Sequence, residues 1–371
     1  MRFLYITIVL LLISPNVYIT VSSSNIDPYK YYTYQSMTNL LYSLAENYSN
    51  IMMLKSIGKT YEGRDIWMVK LSDNPDVEED EPGVLLMGAH HGNEKPSFEV
   101  LIFLIKYMVE TYSKPDTDDD HDGRVNEDII DGVDNDGDGM VDEDPSESRV
   151  RDIIDNTQLF IVPMVNPDGV EYGWRKNRVP NHGPFGLKRE VTSYGVDLNR
   201  NYGYLWYLPY IFPHRYHLAF LLPDKSWNYH GRYPFSENET RAIKHLVEDH
   251  NNIRIAISYH SYGEFIMYPW THTSLPTPDE SLFISIGENI SKINGYYLYK
   301  GGHYLIPRFG GTIGTAENWL YGVHRILPFT IELCKSRVPT DPYVVASYCW
   351  KHVGVNLYVC ERALNLKPSK I

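Results

Sequence analysis

The sequence predicts an α/β fold, a single domain with a mixed, mostly buried central β-sheet flanked by helices. Two observations carry this prediction. Short apolar runs typical of buried strands alternate with segments whose apolar residues recur at helical spacing. No linker divides the 371 residues into separate domains. Strands that alternate with helices predict a sheet with helices packed against it.

The predicted elements follow one another along the whole chain. Helices are predicted at 31–48, 96–112, 237–250 and 341–366, and strands at 51–57, 64–71, 84–89, 157–165, 253–259 and 327–333. The first helix is indicated by Met37, Leu40, Leu41 and Leu44, which lie three and four positions apart. Several strands end at polar residues, and the ends of strands are where open α/β sheets bind their ligands.

The N-terminus has the pattern of a secretory signal peptide. Met1-Arg2 precedes an apolar run at 3–13, and small residues follow at 21–24. We therefore expect residues 1–23 to be removed and residues 24–371 to form an exported monomer. The alternative is an uncleaved signal that anchors the protein in a membrane, although the apolar run is short and Pro15 follows it. No other segment is apolar enough to span a membrane, so we expect no stable insertion after removal of the signal.

The three cysteines do not form a disulfide framework. Cys349 and Cys360 are eleven residues apart in a predicted helix, too far to bond each other. One disulfide from Cys334 to either of them is compatible with export, and three buried thiols are the equal alternative.

The charge of the chain is concentrated in one segment. Residues 115–144 include fourteen acidic residues and one basic residue, which together account for the whole formal net charge of −13. The rest of the chain is close to neutral and offers no basic face that would neutralise phosphates. The composition therefore argues against nucleic acid as a partner.

The acidic segment carries a repeated pattern. Alternating aspartates followed by glycine occur twice, sixteen residues apart, at Asp118, Asp120 and Asp122 and at Asp134, Asp136 and Asp138. Such spacing lets a tight loop wrap oxygen ligands around a hard cation. Ile129 and Pro145 stand where an EF-hand has glutamate, so neighbouring carboxylates such as Asp142 must complete the ligand set. We predict a calcium-binding insert at about 115–145 with two structural Ca²⁺ ions. The alternative is a solvated acidic loop.

The spacing His-x-x-Glu, which suits two ligands of one metal ion, occurs twice. His245 and Glu248 lie in a predicted amphipathic helix among charged residues, so this copy is most simply a solvated helix face. His91 and Glu94 instead lie where a buried strand ends and a helix begins. His90 lacks the spacing, so we expect it to pack beside the metal ligands rather than to bind the metal.

A catalytic zinc site usually takes three protein ligands and leaves a fourth position open. His91 and Glu94 supply two of them. The best third candidate is His260, because it also follows a buried strand, predicted at 253–259.

Five motifs in the sequence resemble those of a known family. The segments HGNE, NPDG with WRKNR, GVDLNRN, SYHSYG with MYPW, and FTIEL occur in the order found in zinc carboxypeptidases of the A and T type. The similarity runs from about Tyr31 to the final helix and is interrupted by the acidic insert. It implies the zinc carboxypeptidase fold and the hydrolysis of C-terminal peptide bonds of peptides and proteins.

The resemblance also implies roles for single residues. His91, Glu94 and His260 match the ligands of one catalytic Zn²⁺ ion. Glu332 matches the general base that takes a proton from the zinc-activated water. Arg175 matches the arginine that stabilises the developing oxyanion. Asn199 and Arg200 match the pair that binds the free C-terminal carboxylate of the substrate.

Two positions depart from the family pattern. The family has a flexible-loop tyrosine nine residues before the tryptophan that is Trp319 here, but that position is Gly310, and Tyr304 is the nearest substitute. Glu317 stands at the specificity position, which predicts a preference for substrates that end in Lys or Arg. The short stretch before Tyr31 leads us to expect activity without cleavage of a prodomain.

The sequence is also compatible with two other classes of protein. A zinc amidohydrolase acting on small acyl-amino acids, of the aspartoacylase or succinylglutamate-deacylating kind, shares the HGNE pair, and a peptidase acting on cell-wall peptides is a related alternative. The other class is a catalytically inactive, calcium-stabilised binding protein on the same fold.

Overall fold

The computed structural model describes residues 27–117, 125, 147–182, 188–207, 224–301 and 312–367. The described strands are β1 (Met52–Lys59), β2 (Asp65–Leu71), β3 (Gly83–Met87), β4 (Gln158–Val162), β5 (Pro180–Asn181), β6 (Ser193–Tyr194), β7 (Ile253–Ser261), β8 (Phe265–Tyr268), β9 (Tyr297–Lys300) and β10 (Leu327–Leu333). The described α-helices are α1 (Tyr34–Asn47), α2 (Pro96–Tyr112), α3 (Glu147–Ile154), α4 (Pro167–Glu171), α5 (Asn238–Asp249), α6 (Glu280–Asn294), α7 (Ala316–His324) and α8 (Pro342–Leu364).

Eight of these strands form one mixed sheet in the order β1-β2-β4-β3-β7-β10-β8-β9. The centre is parallel, because β3 pairs in parallel with β4 and β7, and β7 pairs in parallel with β10. The pairs β1–β2, β2–β4 and β10–β8 are antiparallel. The carboxyl ends of β3, β7 and β10 therefore meet at one edge of the sheet.

Helices cover both faces of the sheet, and alternate strand residues face the two sides. Leu86 packs in a core with α1, α2, α3, α6 and α8, whereas its neighbour Leu85 packs in a second core with α5 and α7. All five residues of β3 are buried. Burial on both faces explains why these strands are continuous apolar runs rather than alternating ones.

The ends of several helices follow local rules. Thr33 caps α1 and forms a capping box with Ser36, so the helix begins three residues later than the predicted 31–48. Pro96 occupies the first turn of α2, where its missing N–H leaves no unpaired donor. Asp341 caps α8 by accepting a hydrogen bond from Tyr343 N, and the helix ends at Leu364 rather than at 366.

The structure confirms the α/β fold and every predicted helix and strand, with small shifts of their ends. The predicted strand 253–259 is too short, because pairing of β7 with β10 continues to Ser261 opposite Leu333. His260 therefore lies inside the strand and not after it. The elements that were not predicted are α3, α4, α6 and α7, the short strands β5 and β6, and the last two strands of the large sheet, β8 and β9.

Other predictions have mixed outcomes. Cys334, Cys349 and Cys360 are all buried free thiols, as one of the two alternatives has it. None of the helices in the described ranges combines the length and apolar character required to cross a bilayer. The predicted signal peptide at 1–23 and all seven candidate calcium ligands lie outside the described residues.

Candidate active site

The edge of the sheet where β3, β7 and β10 end brings three buried donor residues together. His91 follows β3, Glu94 lies in the turn before α2, and His260 is contributed by β7. His91 Nδ1 lies 2.9 Å from Glu94 Oε1, and His260 Nδ1 lies 3.0 Å from Glu94 Oε2. The two Nδ1 atoms are 3.1 Å apart. Among the described residues, two groups have ligand atoms close enough to share a metal ion, and this group is the buried one.

Glycine in the His-Gly-Asn-Glu turn is required by packing. A Cβ atom on Gly92 would lie 2.1 Å from the carbonyl carbon of Gly169 in α4. Gly92 N also donates a hydrogen bond to Arg175 O at 3.3 Å. The turn that carries His91 and Glu94 is therefore pressed against the backbone that carries Arg175.

Asp197 forms a hydrogen bond with the outer nitrogen of His91, Nε2, which faces away from Glu94 and His260. His91 Nε2 lies 3.2 Å from Asp197 Oδ1. Burial alone raises the pKa of Asp197, but Arg175 and Arg200 outweigh it and hold that pKa well below its usual value. An ionised carboxylate only accepts hydrogen bonds, so Nε2 carries the proton and the lone pair of Nδ1 faces Glu94 and His260.

The outer nitrogen of His260 is held by a hydroxyl chain. Ser258 Oγ lies 3.1 Å from His260 Nε2 and 3.3 Å from His90 Nδ1. His90 Nε2 in turn lies 2.9 Å from the hydroxyl of Tyr202. His90 is fully buried and stands outside the group of three, as the spacing argument predicted. Ser258 Oγ can accept a hydrogen bond from Nε2 of His260, which leaves Nδ1 free to face Glu94 and His91.

Two imidazole nitrogens and a carboxylate, all buried and with both outer nitrogens hydrogen-bonded, are the donor set of a catalytic zinc site. The residues present therefore fit zinc. Their fit rests on the two Nδ1 atoms that face one carboxylate.

Five more predicted site residues line the same cavity, which has a volume of about 190 Å³: Arg175, Asn199, Arg200, Glu317 and Glu332. Glu332 lies in β10 directly opposite His260 of β7. Burial, followed by the nearby Glu94, raises the pKa of Glu332 well above its usual value, and Arg175 offsets part of this rise. Tyr304 and Gly310 lie outside the described residues.

Arg175 is fixed beside the donor group. Its Nε and Nη2 atoms donate to Asp197 Oδ2 at 3.0 and 2.8 Å. Its Nη1 lies 3.2 Å from His91 Nδ1 and 3.6 Å from Glu94 Oε1. One carboxylate thus orients both a metal-ligand candidate and a cation. Asp197 was missed at the sequence level, although a lone aspartate between Val196 and Leu198 is a recognisable sign of a buried ionic role.

The carboxylate of Glu317 is only partly hydrogen-bonded within the part of the chain that the structure describes. Glu317 is buried, and its Oε1 accepts a hydrogen bond from Thr330 Oγ1 at 2.5 Å and a long one from Asn199 Nδ2 at 3.5 Å. Its Oε2 has no hydrogen-bond partner among the described residues. Asn199 itself is held by a bond from Ala316 N to its Oδ1, so the pocket wall is well defined.

The chain is similar to known proteins over most of its length. A zinc carboxypeptidase of Saccharothrix mutabilis subsp. capreolus is 29% identical over 318 residues, which cover 82% of this chain and 62% of that protein. The crystal structure of thrombin activatable fibrinolysis inhibitor is similar with a TM-score of 0.69 at 18% identity, over 91% of this chain and 75% of that chain. Carboxypeptidase A of Helicoverpa armigera gives a TM-score of 0.67 at 20% identity, over 90% and 74% of the two chains.

These likenesses extend over most of this chain, whereas the chain spans 62% and 64% of the length of the first curated relatives that it matches. The two solved structures show a shared fold. The family model described as zinc carboxypeptidase matches residues 37–346, which include the donor group and every described residue of the cavity. The chain therefore belongs to the zinc carboxypeptidase family.

Proposed function

We propose that this chain is a zinc-dependent carboxypeptidase that hydrolyses the C-terminal peptide bond of peptides and proteins. The observation that carries the proposal is the shared cavity, in which the His91–Glu94–His260 group lies beside Glu332, Arg175 and Arg200. No observation on the described residues favours the deacylase or the inactive binding protein.

His91 Nδ1, Glu94 and His260 Nδ1 would hold one Zn²⁺ ion. When bound, zinc acidifies a water molecule and polarises a carbonyl group. The positive charge of bound zinc would favour the ionised form of Glu332. Glu332 then acts as the general base, taking a proton at its carboxylate from the attacking water and passing it to the leaving amine nitrogen. Its place opposite His260 in the adjacent strand brings the carboxylate to the reacting group.

Arg175 donates hydrogen bonds to the carbonyl oxygen of the scissile bond as negative charge develops there. Because Asp197 holds two of its three guanidinium nitrogens, the donor is positioned before the substrate arrives. Asn199 and Arg200 bind the free α-carboxylate, with the guanidinium supplying paired donors. This grip restricts cleavage to the last residue.

Glu317 selects the side chain of that last residue. Its Oε2 atom is buried and has no partner among the described residues, an arrangement that costs free energy unless a cation or donor meets it. Lys and Arg side chains carry such a cation at the end of a long apolar stem. We therefore propose a preference for C-terminal Lys or Arg.

The function is tested with peptides that have free or amidated C-termini, followed by mass spectrometry in the presence of zinc and calcium. We expect stepwise loss of single residues from free peptides only, and loss of this activity in Glu332→Gln. The exposed glutamate of the second His-x-x-Glu copy provides the control Glu248→Gln, which should be as active as the wild type. Internal cleavage, or full activity in Glu332→Gln, contradicts the proposal.

The preference is tested with peptides that differ only in the last residue. Wild type should release Lys and Arg faster than Leu or Phe, and Glu317→Gln should remove most of that difference, because the neutral amide keeps the shape of the pocket. Faster release of Leu or Phe by the wild type contradicts the assignment of Glu317 without affecting the assignment of the zinc ligands.

We also propose the features that rest on sequence pattern alone. Calcium stabilises the acidic segment at about 115–145, and the protein is exported as a monomer after removal of residues 1–23. Tyr304 takes the place of the loop tyrosine. Thermal melts with added calcium and with a chelator test the first point, and an unchanged melting temperature contradicts it.

A further inference from the structure

Two exposed tryptophans lie side by side next to Arg175. Trp174 and Trp227 are 37% and 44% exposed. Their ring centroids are 5.4 Å apart with planes at 76°, an edge-to-face pair. The guanidinium carbon of Arg175 lies 5.9 Å from the ring centroid of Trp227. Each ring presents apolar surface to solvent although neither is needed to fill a core.

The backbone on both sides of this pair is fixed. Lys176 is buried, and its Nζ donates to Asp224 O at 3.0 Å and to Ser226 O at 3.1 Å. Both carbonyls belong to residues that precede Trp227 closely in the chain. Trp174 N donates to Gly169 O at 2.8 Å. The backbone next to each ring is therefore anchored before any ligand arrives, which lowers the entropy cost of binding to the pair.

The position of the pair follows from Arg175. Arg175 lines the cavity together with Asn199 and Arg200, and its Nη1 is 3.6 Å from Glu94 Oε1. In the proposed binding mode the last residue of the peptide fills the cavity and its α-carboxylate meets Arg200. The carbonyl next to Arg175 then belongs to the penultimate residue, and the ring of Trp227 lies beside the same guanidinium group.

We propose that Trp174 and Trp227 form a binding site for the penultimate side chain of the peptide, and that this site favours aromatic residues. The proposal rests on the carboxypeptidase function given above. An aromatic side chain packs against a fixed edge-to-face pair and gains dispersion and quadrupole contacts that a methyl group does not. A single such contact corresponds to about a tenfold preference.

The test compares peptides that differ only in Phe or Ala at the penultimate position, each made with C-terminal Lys and with C-terminal Leu. Wild type should show a higher kcat/KM for Phe, and Trp227→Ala should reduce the ratio of Phe to Ala by about tenfold. Trp227→Phe should retain most of the ratio. The matched control is Trp350→Ala, which removes another exposed tryptophan, one that packs on Phe103 and Tyr107 of α2.

Binding measured without turnover separates this site from the proposed reaction. In Glu332→Gln the dissociation constants of the same peptides should show the same preference, and adding Trp227→Ala should remove it. A ratio that survives Trp227→Ala, or a ratio that Trp350→Ala reduces equally, overturns the site. Failure of the wild type to cleave any of the peptides contradicts the carboxypeptidase function, and the dissociation constants then decide the tryptophan site alone. Circular dichroism melts verify that each variant is folded.

Discussion

The same four-residue spacing, His-x-x-Glu, occurs in two opposite environments in this molecule. His91 and Glu94 are 4% and 5% exposed and lie between β3 and α2. His245 and Glu248 are exposed on α5, where Glu248 pairs with Lys244 at 3.2 Å. The first pair lies close to a third donor, His260, and the second pair is exposed to solvent. Spacing places two side chains near each other, but the surrounding fold decides whether they form a site.

The difference extends to the residues behind the donors. Asp197 and Ser258 hold the outer nitrogens of His91 and His260, and the exposed pair on α5 has no corresponding partner in the described ranges. A donor whose orientation is fixed loses little entropy when it binds a metal ion. The comparison therefore makes graded predictions: the donors matter most, their supports less, and the exposed copy not at all.

The largest effect is expected when a donor is removed. His91→Ala or Glu94→Ala should lower zinc content from about one ion per chain to near zero and abolish hydrolysis, because two protein ligands do not hold a catalytic zinc ion. The matched variants His245→Ala and Glu248→Ala should retain both zinc and activity. Elemental analysis of dialysed protein checks this, and loss of zinc from the α5 variants contradicts the comparison.

A smaller effect is expected when the support of His91 is removed. Asp197→Asn should weaken zinc affinity by about 10- to 100-fold and also release Arg175, since one carboxylate orients both. Competition with a chromogenic chelator measures the affinity, and Asp249→Asn on the exposed side of α5 is the control. An affinity equal to that of the wild type would show that Asp197 does not orient the ligand.

Removing the support of His260 should have a still smaller effect. Ser258→Ala takes away a neutral hydrogen bond rather than a charged one, so zinc affinity should fall by about tenfold or less. The same chelator competition reports it. A loss greater than that of Asp197→Asn would reverse the order of importance that the geometry implies.

A fourth prediction applies the comparison to two glutamates of α5 that differ in burial. Burial, followed by the nearby Glu237, raises the pKa of Glu239 to about 8. The folded state therefore keeps a proton that the unfolded state releases near the usual value of 4.5. This group stabilises the fold fully below about pH 4.5, and the contribution is lost as pH rises towards 8, by at most about 1.4 kcal/mol per unit.

Between about pH 4.5 and 8, the free energy of unfolding of Glu239→Gln should fall less steeply with pH than that of the wild type. Glu248→Gln should show the same dependence on pH as the wild type. Urea denaturation at several pH values between 5 and 8 measures it. An identical slope in wild type and Glu239→Gln would show that Glu239 is ionised in the folded protein.

Much of the site can be predicted from the sequence because its donors lie in or beside strands that are easy to recognise. The runs at 84–89, 253–259 and 327–333 are apolar, and the polar residues His91, His260 and Glu332 stand out against them. The support residues are harder to predict. Asp197 precedes a single 3₁₀ turn at Leu198–Arg200, and only tertiary packing chooses its partners.

The strands β8 and β9, which lie at one end of the sheet, were missed for a related reason. They are four residues each, and β9 alternates between exposed and partly buried positions without a strong apolar pattern. Their place in the sheet comes from pairing with strands distant in the sequence, which local periodicity does not encode. Trp227 and Arg175 are 52 residues apart in the chain, and the fold alone brings them together.

Anomalous diffraction at the zinc absorption edge, from crystals grown with zinc, tests directly whether His91, Glu94 and His260 bind the metal ion. We expect one strong peak at bonding distance, about 2.0–2.2 Å, from His91 Nδ1, His260 Nδ1 and a carboxylate oxygen of Glu94. We expect no peak beside His245 and Glu248. A zinc ion bound at the α5 pair, or no zinc between the three buried donors, would contradict the assignment of His91, Glu94 and His260 as the zinc ligands.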